Sequence, residues 1–276
     1  MMEKLRKFFF EQDMSWKKVI IMALVSALVT GVICIIPAFT GTSIGDIGVN
    51  FDVWILIAIV IIANCHSWKE AALKTVVFFL ISQPLIYLIQ VPFKSEGFGI
   101  FRHYIFWFEV TVLTVPGAIV AYQIKRKDWI STIVLSVATG FLGYMASQYI
   151  WNVVANFPRH LLSLLFCLIV SFVLIFVFLD DKTKRIVAIG ITLLVLVVSL
   201  IITKPNSKET IIIDGGNWTY VIDNEDIISV DYENGVASIT SLKDGSTYLT
   251  FTNDDGEMLE YYVTVSNGSI IINTFD

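Results

Sequence analysis

Apolar residues gather in seven long runs: Val19–Phe39, Phe51–Cys65, Thr75–Val91, His103–Tyr122, Trp129–Ile150, Leu161–Leu179 and Ile186–Ile202. None carries the polar face of a helix packed on a soluble core, so lipid is the expected solvent. A perpendicular span needs about 20 apolar residues, with about 17 as the lower limit. The second and third runs lie at or below that limit. They predict either two short spans or one re-entrant hairpin, and two crossings are then gained or lost together.

The pattern changes after Thr203–Glu209 (TKPNSKE), a polar stretch in which Pro205 stops a helix. Short β-type runs follow at Thr210–Ile213, Trp218–Ile222, Ile227–Asp231, Val236–Ile239, Thr247–Thr252, Leu259–Ser266 and Ser269–Thr274. Turn dipeptides separate them: Gly215-Gly216, Asn234-Gly235, Asp244-Gly245, Asp255-Gly256 and Asn267-Gly268. The expected fold is all-α in the membrane, with about seven transmembrane helices, followed by a small all-β domain. The expected parts are an N-terminal segment (1–18), a polytopic helical domain (19–203), a linker (204–209) and the β-domain (210–276).

Composition agrees: 56% of residues are hydrophobic and only 16% charged, against about 25% charged in soluble domains. The net charge of -5 hides two opposite parts. From Ser207 onward acids dominate, with Lys208 and Lys243 the only bases, which argues against nucleic acid as a partner. Elsewhere the bases alternate by loop. With a cytoplasmic N-terminus, the inner segments carry Lys4, Arg6, Lys7, Lys17, Lys18, Lys69, Lys74, Lys125, Arg126, Lys127, Lys182, Lys184 and Arg185. The outer loops carry Lys94, Arg102 and Arg159. Positive residues favour the inside, so an odd number of crossings puts the β-domain outside the cell membrane. The first apolar run exceeds a signal peptide's core and lacks a small-x-small cleavage site, so it reads as a retained helix. Met1 to Lys18 reads as a cytoplasmic extension of that helix, with a short interfacial helix as the alternative.

The tail from Asp223 reads DNEDIISVDYENGVASITSLKDGSTYLTFTNDDGEMLEYYVTV. Its Ile228-Ser229-Val230 strand, Asn234-Gly235-Val236, Leu242-x-x-Gly245 step and Val263-Thr264-Val265 ending resemble a bacterial immunoglobulin-like group 2 domain. The resemblance covers roughly Trp218 to Val265. The first strands are shortened at Gly215-Gly216, and an extra run, Ser269–Thr274, follows the usual end. It implies a surface-exposed spacer or adhesion-type module with a cell-wall or surface partner, and it carries over no binding residue.

Candidate chemistry is sparse. Ionisable residues inside a bilayer are costly and functional by default. Glu109 in the fourth run is the clear one, and Gln83, Asn64 and Gln148 are its uncharged companions, with Asn152 nearby. If they share a cavity they form an intramembrane polar site; otherwise Glu109 is neutralised, bonded to a neighbour or wetted from outside. Arg102-His103 and Arg159-His160 read as anchors at helix starts. His66, His103 and His160 fall on two faces and do not form a metal site. Pro84 and Pro116-Gly117 sit inside runs, where proline is ordinary in membrane helices; kinks that line a binding site, as in many transporters, are the alternative. Ala23, Ala27 and Gly31, then Thr139, Gly143 and Ser147, read as close-packing stripes. The DDGE stretch Asp254–Glu257 reads as a solvated hairpin tip. No phosphate-binding loop, hydrolase motif or cofactor motif is present. The expected function is a non-enzymatic envelope protein for anchoring, assembly or sensing. The alternative is a small-solute transporter or channel with Glu109 on the path.

Overall fold

The computed structural model describes residues 2–205, 207–213, 218–266 and 268–274. Nine α-helices are seen among them: α1 (Met2–Phe10), α2 (Trp16–Ile35), α3 (Ser43–Val49), α4 (Phe51–Ala63), α5 (Trp68–Gln90), α6 (Tyr104–Ala121), α7 (Trp129–Asn156), α8 (Leu161–Phe178) and α9 (Lys182–Ile202). Seven strands follow: β1 (Lys208–Ile212), β2 (Trp218–Ile222), β3 (Ile228–Glu233), β4 (Val236–Ser241), β5 (Gly245–Asn253), β6 (Met258–Ser266) and β7 (Ser269–Thr274). The chain divides into two compact units, Met1–Tyr149 with Arg159–Leu200, and Ile150–Pro158 with Ile201–Asp276.

Six helical stretches are long and apolar enough to cross a membrane, and seven if the bent pair α3 and α4 counts as one span. The helical part is thus of the multi-pass membrane kind. The third run is longer than its apolar core: α5 extends it to 23 residues through Trp68, Lys69 and Glu70. It does not need the second run as a hairpin partner. The second run is the unusual one. Its helix, α4, has only 13 residues and is preceded by α3 at an angle of 43°. Together they cover about 30 Å of axial rise, the thickness of a hydrocarbon core.

Contacts at the two ends of this pair fix its course. At its start, Ser43 N–H and Oγ donate to the Arg159 carbonyl just before α8, at 2.9 and 2.7 Å. At its finish, the Asn64 amide donates to the Phe9 carbonyl of α1 at 2.8 Å and accepts from Gln12 N–H at 2.8 Å. α1 meets the end of α8 as well, through Phe9 and Phe10 against Phe178 and an Arg6–Asp180 ion pair. The α3–α4 pair therefore runs from the far end of the helical unit to the end that carries α1.

The N-terminal segment is corrected by this geometry. It does not extend the first long helix. The chain breaks at Glu11–Ser15, and α1 is separate, with Phe9 buried and Phe8 and Phe10 exposed beside Lys4 and Lys7. The turns α4–α5, α6–α7 and α8–α9 collect at the same end as α1. Lys125 donates to the Cys65 carbonyl at 2.6 Å, Tyr122 donates to that of His66 at 2.8 Å, and Lys184 donates to that of Lys127. Side chains cap three helices there: Ser67 takes Glu70 N–H, Asp128 takes Ile130 and Ser131 N–H, and Asp181 takes Lys184 N–H. The small-residue stripes are packing surfaces. A methyl on Gly143 would stand 2.9 Å from the Thr192 carbonyl oxygen of α9, and Thr192 donates to the Thr139 hydroxyl at 2.8 Å.

In the second unit, two antiparallel sheets, β1-β4-β3 and β2-β5-β6-β7, share one core. The core is built by alternation: Ala237 and Ile239 of β4 face Leu249 and Phe251 of β5 and Val263 and Val265 of β6. Phe251 is fully buried and ringed by Tyr220, Tyr232 and Tyr261. Tyr220 also ties one sheet to the other by donating to the Val230 carbonyl at 2.8 Å. Asn234 and Gly235 both take positive φ, 51° and 80°, which suits a tight hairpin between β3 and β4. The Asp254–Glu257 tip closes on itself, with Glu257 N–H and Asp255 N–H donating to Asn253 Oδ1. The Gly215-Gly216 turn and Asn267 of the last hairpin lie outside the described residues.

Candidate functional site

The third and second runs build the site together. α4 and α5 are joined by the short turn at Cys65–Ser67 and so run antiparallel. α5 turns one stripe inward at i, i+3 and i+4 spacing: Thr75, Phe78, Phe79, Ser82, Gln83, Ile86, Tyr87 and Gln90 are all buried. A pure lipid-facing helix has no need of the polar members of that stripe.

At the end far from α1, a cavity of about 350 Å³ opens between α2, α4, α5 and α6. Its wall is apolar at Trp54, Ile86 and Trp107 and polar at Thr30, Gln83, Tyr87 and Gln90. Lys94, Glu96 and His103 stand around its mouth, where Glu96 pairs with Arg102 at 3.2 Å. Gln83 is the notable group. It is 3% exposed, and its Nε2 has no hydrogen-bond partner. An unsatisfied buried amide costs about 1–3 kcal/mol, and this one borders the cavity. Gln90 differs: its amide donates to the Ile86 carbonyl at 3.0 Å.

At the α1 end a second cavity, about 420 Å³, is bordered by Gln12, Asn64, Glu70 and Lys74. Lys74 is 5% exposed. Its ammonium donates to Glu70 and to the Met14 carbonyl, and it lies 5.6 Å from the Trp16 ring. Gln83 lies nine positions after Lys74 on α5, an axial distance of about 13 Å. Trp54, Phe78 and Phe79 fill that interval, with ring centroids 5.1 to 6.2 Å apart. Thr75 Oγ1 and Ser82 Oγ flank the aromatic trio, and both are buried without a partner. Two cavities thus lie along one helix stripe, with the aromatic trio between them.

The other side of the α3–α4 bend holds a dense polar cluster. Asp52 is wholly buried. Its carboxylate accepts Val53 N–H at 2.8 Å and the Tyr149 hydroxyl at 3.3 Å, with the Cys167 thiol at 3.8 Å. Asn50 donates to the Tyr149 oxygen at 2.9 Å. On α3, Asp46 accepts the Ser163 hydroxyl at 2.8 Å and meets His160 Nδ1 at 2.7 Å. Among the described residues no group of three metal-ligating side chains is found.

The four sequence candidates are dispersed. Glu109 is exposed on α6. Gln83 lines the far cavity. Asn64 lies at the α1 end, with its amide donating to the Phe9 and Val60 carbonyls. Gln148 is half-buried on α7, with Nε2 unpartnered. The two Arg-His pairs also part company: His103 is exposed near Glu96, whereas His160 is buried on Asp46. Asp46 and Asp52 are the functional suspects that sequence reasoning passed over. Their signal was the short second run, interrupted by Gly45, Gly48 and Asn50 just before it.

No protein family, curated protein or solved structure matches the chain.

Proposed function

We propose that the helical part binds a small, neutral or zwitterionic polar solute in the far cavity and conducts it along the α5 stripe. The observation that carries this reading is the unpartnered, buried Gln83 amide in a cavity that ends on an aromatic plug. Pockets for small molecules combine apolar walls with a few placed polar groups. In this arrangement the plug is the closed point of the path, and Lys74 with Glu70 forms its other vestibule. Glu109 is not part of the route. The α3–α4 break supports the same reading, because discontinuous helices are tolerated where they line a cavity or protein interior.

The basic turns gathered at the α1 end support a cytoplasmic N-terminus, which puts the far cavity on the outer side. The two-sheet tail then reads as an extracytoplasmic immunoglobulin-like module of a cell-envelope protein, disposed to meet a wall or surface protein. Anchoring through this module is a second role, favoured by its closed, separately cored fold.

The test is permeability. Full-length protein in liposomes is given a urea gradient, and vesicle re-swelling is timed. Trp54→Ala and Phe79→Ala are expected to accelerate re-swelling several-fold over the unmodified protein, because each opens the plug. Re-swelling no faster than with protein-free vesicles in both variants would remove the conduction reading.

A further inference from the structure

The helical unit contains a second built site, on the opposite side of the α3–α4 bend from the cavity. Val49 and Trp54 face the cavity, whereas Asp46 and Asp52 turn toward α7 and α8. The titratable groups that meet there come from four elements: Asp46 from α3, Asp52 from α4, Tyr149 from α7, and His160 and Cys167 from the start and body of α8. Arg159 offers only its carbonyl, to Ser43, and its side chain is exposed. Among the described residues, no lysine or arginine bonds to either carboxylate.

The two carboxylates differ in their partners. Asp46 meets the His160 ring nitrogen at 2.7 Å. Asp52 has no counter-charge, yet no part of it reaches solvent. A buried carboxylate without a cation is among the most expensive groups a protein can hold, and gaining a proton relieves that cost. A metal or sodium ion fits less well. The carboxylate oxygens already receive Ser163 O–H, Tyr149 O–H and Val53 N–H, so donor hydrogens occupy the directions from which a cation would approach. Tyr149 is arranged to serve both states of Asp52. Its oxygen takes the Asn50 amide, and its own hydrogen points to the ionised carboxylate. When Asp52 carries the proton, the same oxygen accepts from the new O–H.

We propose that the α3–α4 bend is a proton-binding site, in which Asp52, with the Asp46–His160 pair beside it, takes up and releases protons from within the helical unit. Its use in driving solute movement rests on the conduction reading above; proton binding itself does not. The bend gives the site a mechanical outlet, because Asp46 and Asp52 sit on the two arms of a broken helix whose other face borders the cavity.

The experiment is infrared difference spectroscopy on full-length protein in lipid nanodiscs, titrated from about pH 9 to about pH 4. Subtracting the Asp52→Asn spectra from those of the unmodified protein cancels surface carboxylates. The expected residue is one titrating carboxylic-acid C=O band, unchanged when potassium is replaced by sodium at fixed pH. Tyr149→Phe is expected to move its midpoint without removing it, and this variant decides the matter if Asp52→Asn does not fold. No titrating band in the subtraction, or no movement in Tyr149→Phe, overturns the proposal. A band abolished by sodium also overturns it, in favour of a cation site. A titrating band together with impermeable Trp54→Ala and Phe79→Ala vesicles would leave the proton site standing and remove conduction alone.

Discussion

At the residue scale, Gln83 and Phe251 make opposite predictions. Gln83 carries an amide nitrogen that nothing satisfies. Replacing it with leucine removes a desolvation cost, so Gln83→Leu is expected to stabilise the helical part by about 1 kcal/mol. Thermal unfolding in detergent reads this directly, and a lowered midpoint would show that the amide has a structural partner. The same substitution in a Trp54→Ala background is expected to slow urea passage. Stability and activity would then move in opposite directions, as at many functional sites. Phe251 is the converse, a ring with no exposed surface at the centre of the β-core. Phe251→Ala is expected to cost about 3–5 kcal/mol. The checkable sign is rapid protease cleavage within the tail while the helical part stays intact.

At the element scale, the approach of α7 to α9 is set by Gly143. An added methyl would press on backbone rather than on a movable side chain. Gly143→Ala is therefore expected to destabilise the helical unit by about 1–3 kcal/mol. Gly117, with open space around its Cβ direction, supplies the control, expected to shift the thermal midpoint far less. The elements were unequally legible in the sequence. The strands lie close to the alternating runs because turn chemistry at Asn234-Gly235 and Asp255-Gly256 brackets them. The long helices lie where the apolar runs predict. What escaped was orientation about each helix axis. Glu109 and Asp52 both sit in apolar runs, yet one is exposed and the other wholly buried. In a chain that is apolar on every face, no periodic stripe marks the interior. Asp52 was hidden further by its place at the start of the second run, where an acid reads as an ordinary helix-start residue. Its burial depends on α3 folding against α8 through Ser43 and Ser163, a contact between positions 116 to 120 residues apart.

At the scale of the whole molecule, sidedness decides how the parts work together. With Cys34, Cys65 and Cys167 replaced by serine and Ser246→Cys introduced, a membrane-impermeant maleimide is expected to label intact cells as fully as lysed ones. Ser246 is exposed on β5, so a failure to label would locate the tail in the cytoplasm rather than reflect burial. That result would reverse the far cavity to the inner side and remove the surface-module role. The wild-type cysteines have a consequence of their own. Cys65 and Cys167 are buried, whereas Cys34 is half-buried on the wall of the far cavity. If passage runs through the far cavity as proposed, Cys34 is a point at which it can be blocked chemically. An organic mercurial added from the cavity side should block passage through plug-opened variants, and a reducing thiol should restore it. Cys34→Ser should confer resistance, which makes a single sulfur atom an on–off control for the proposed passage.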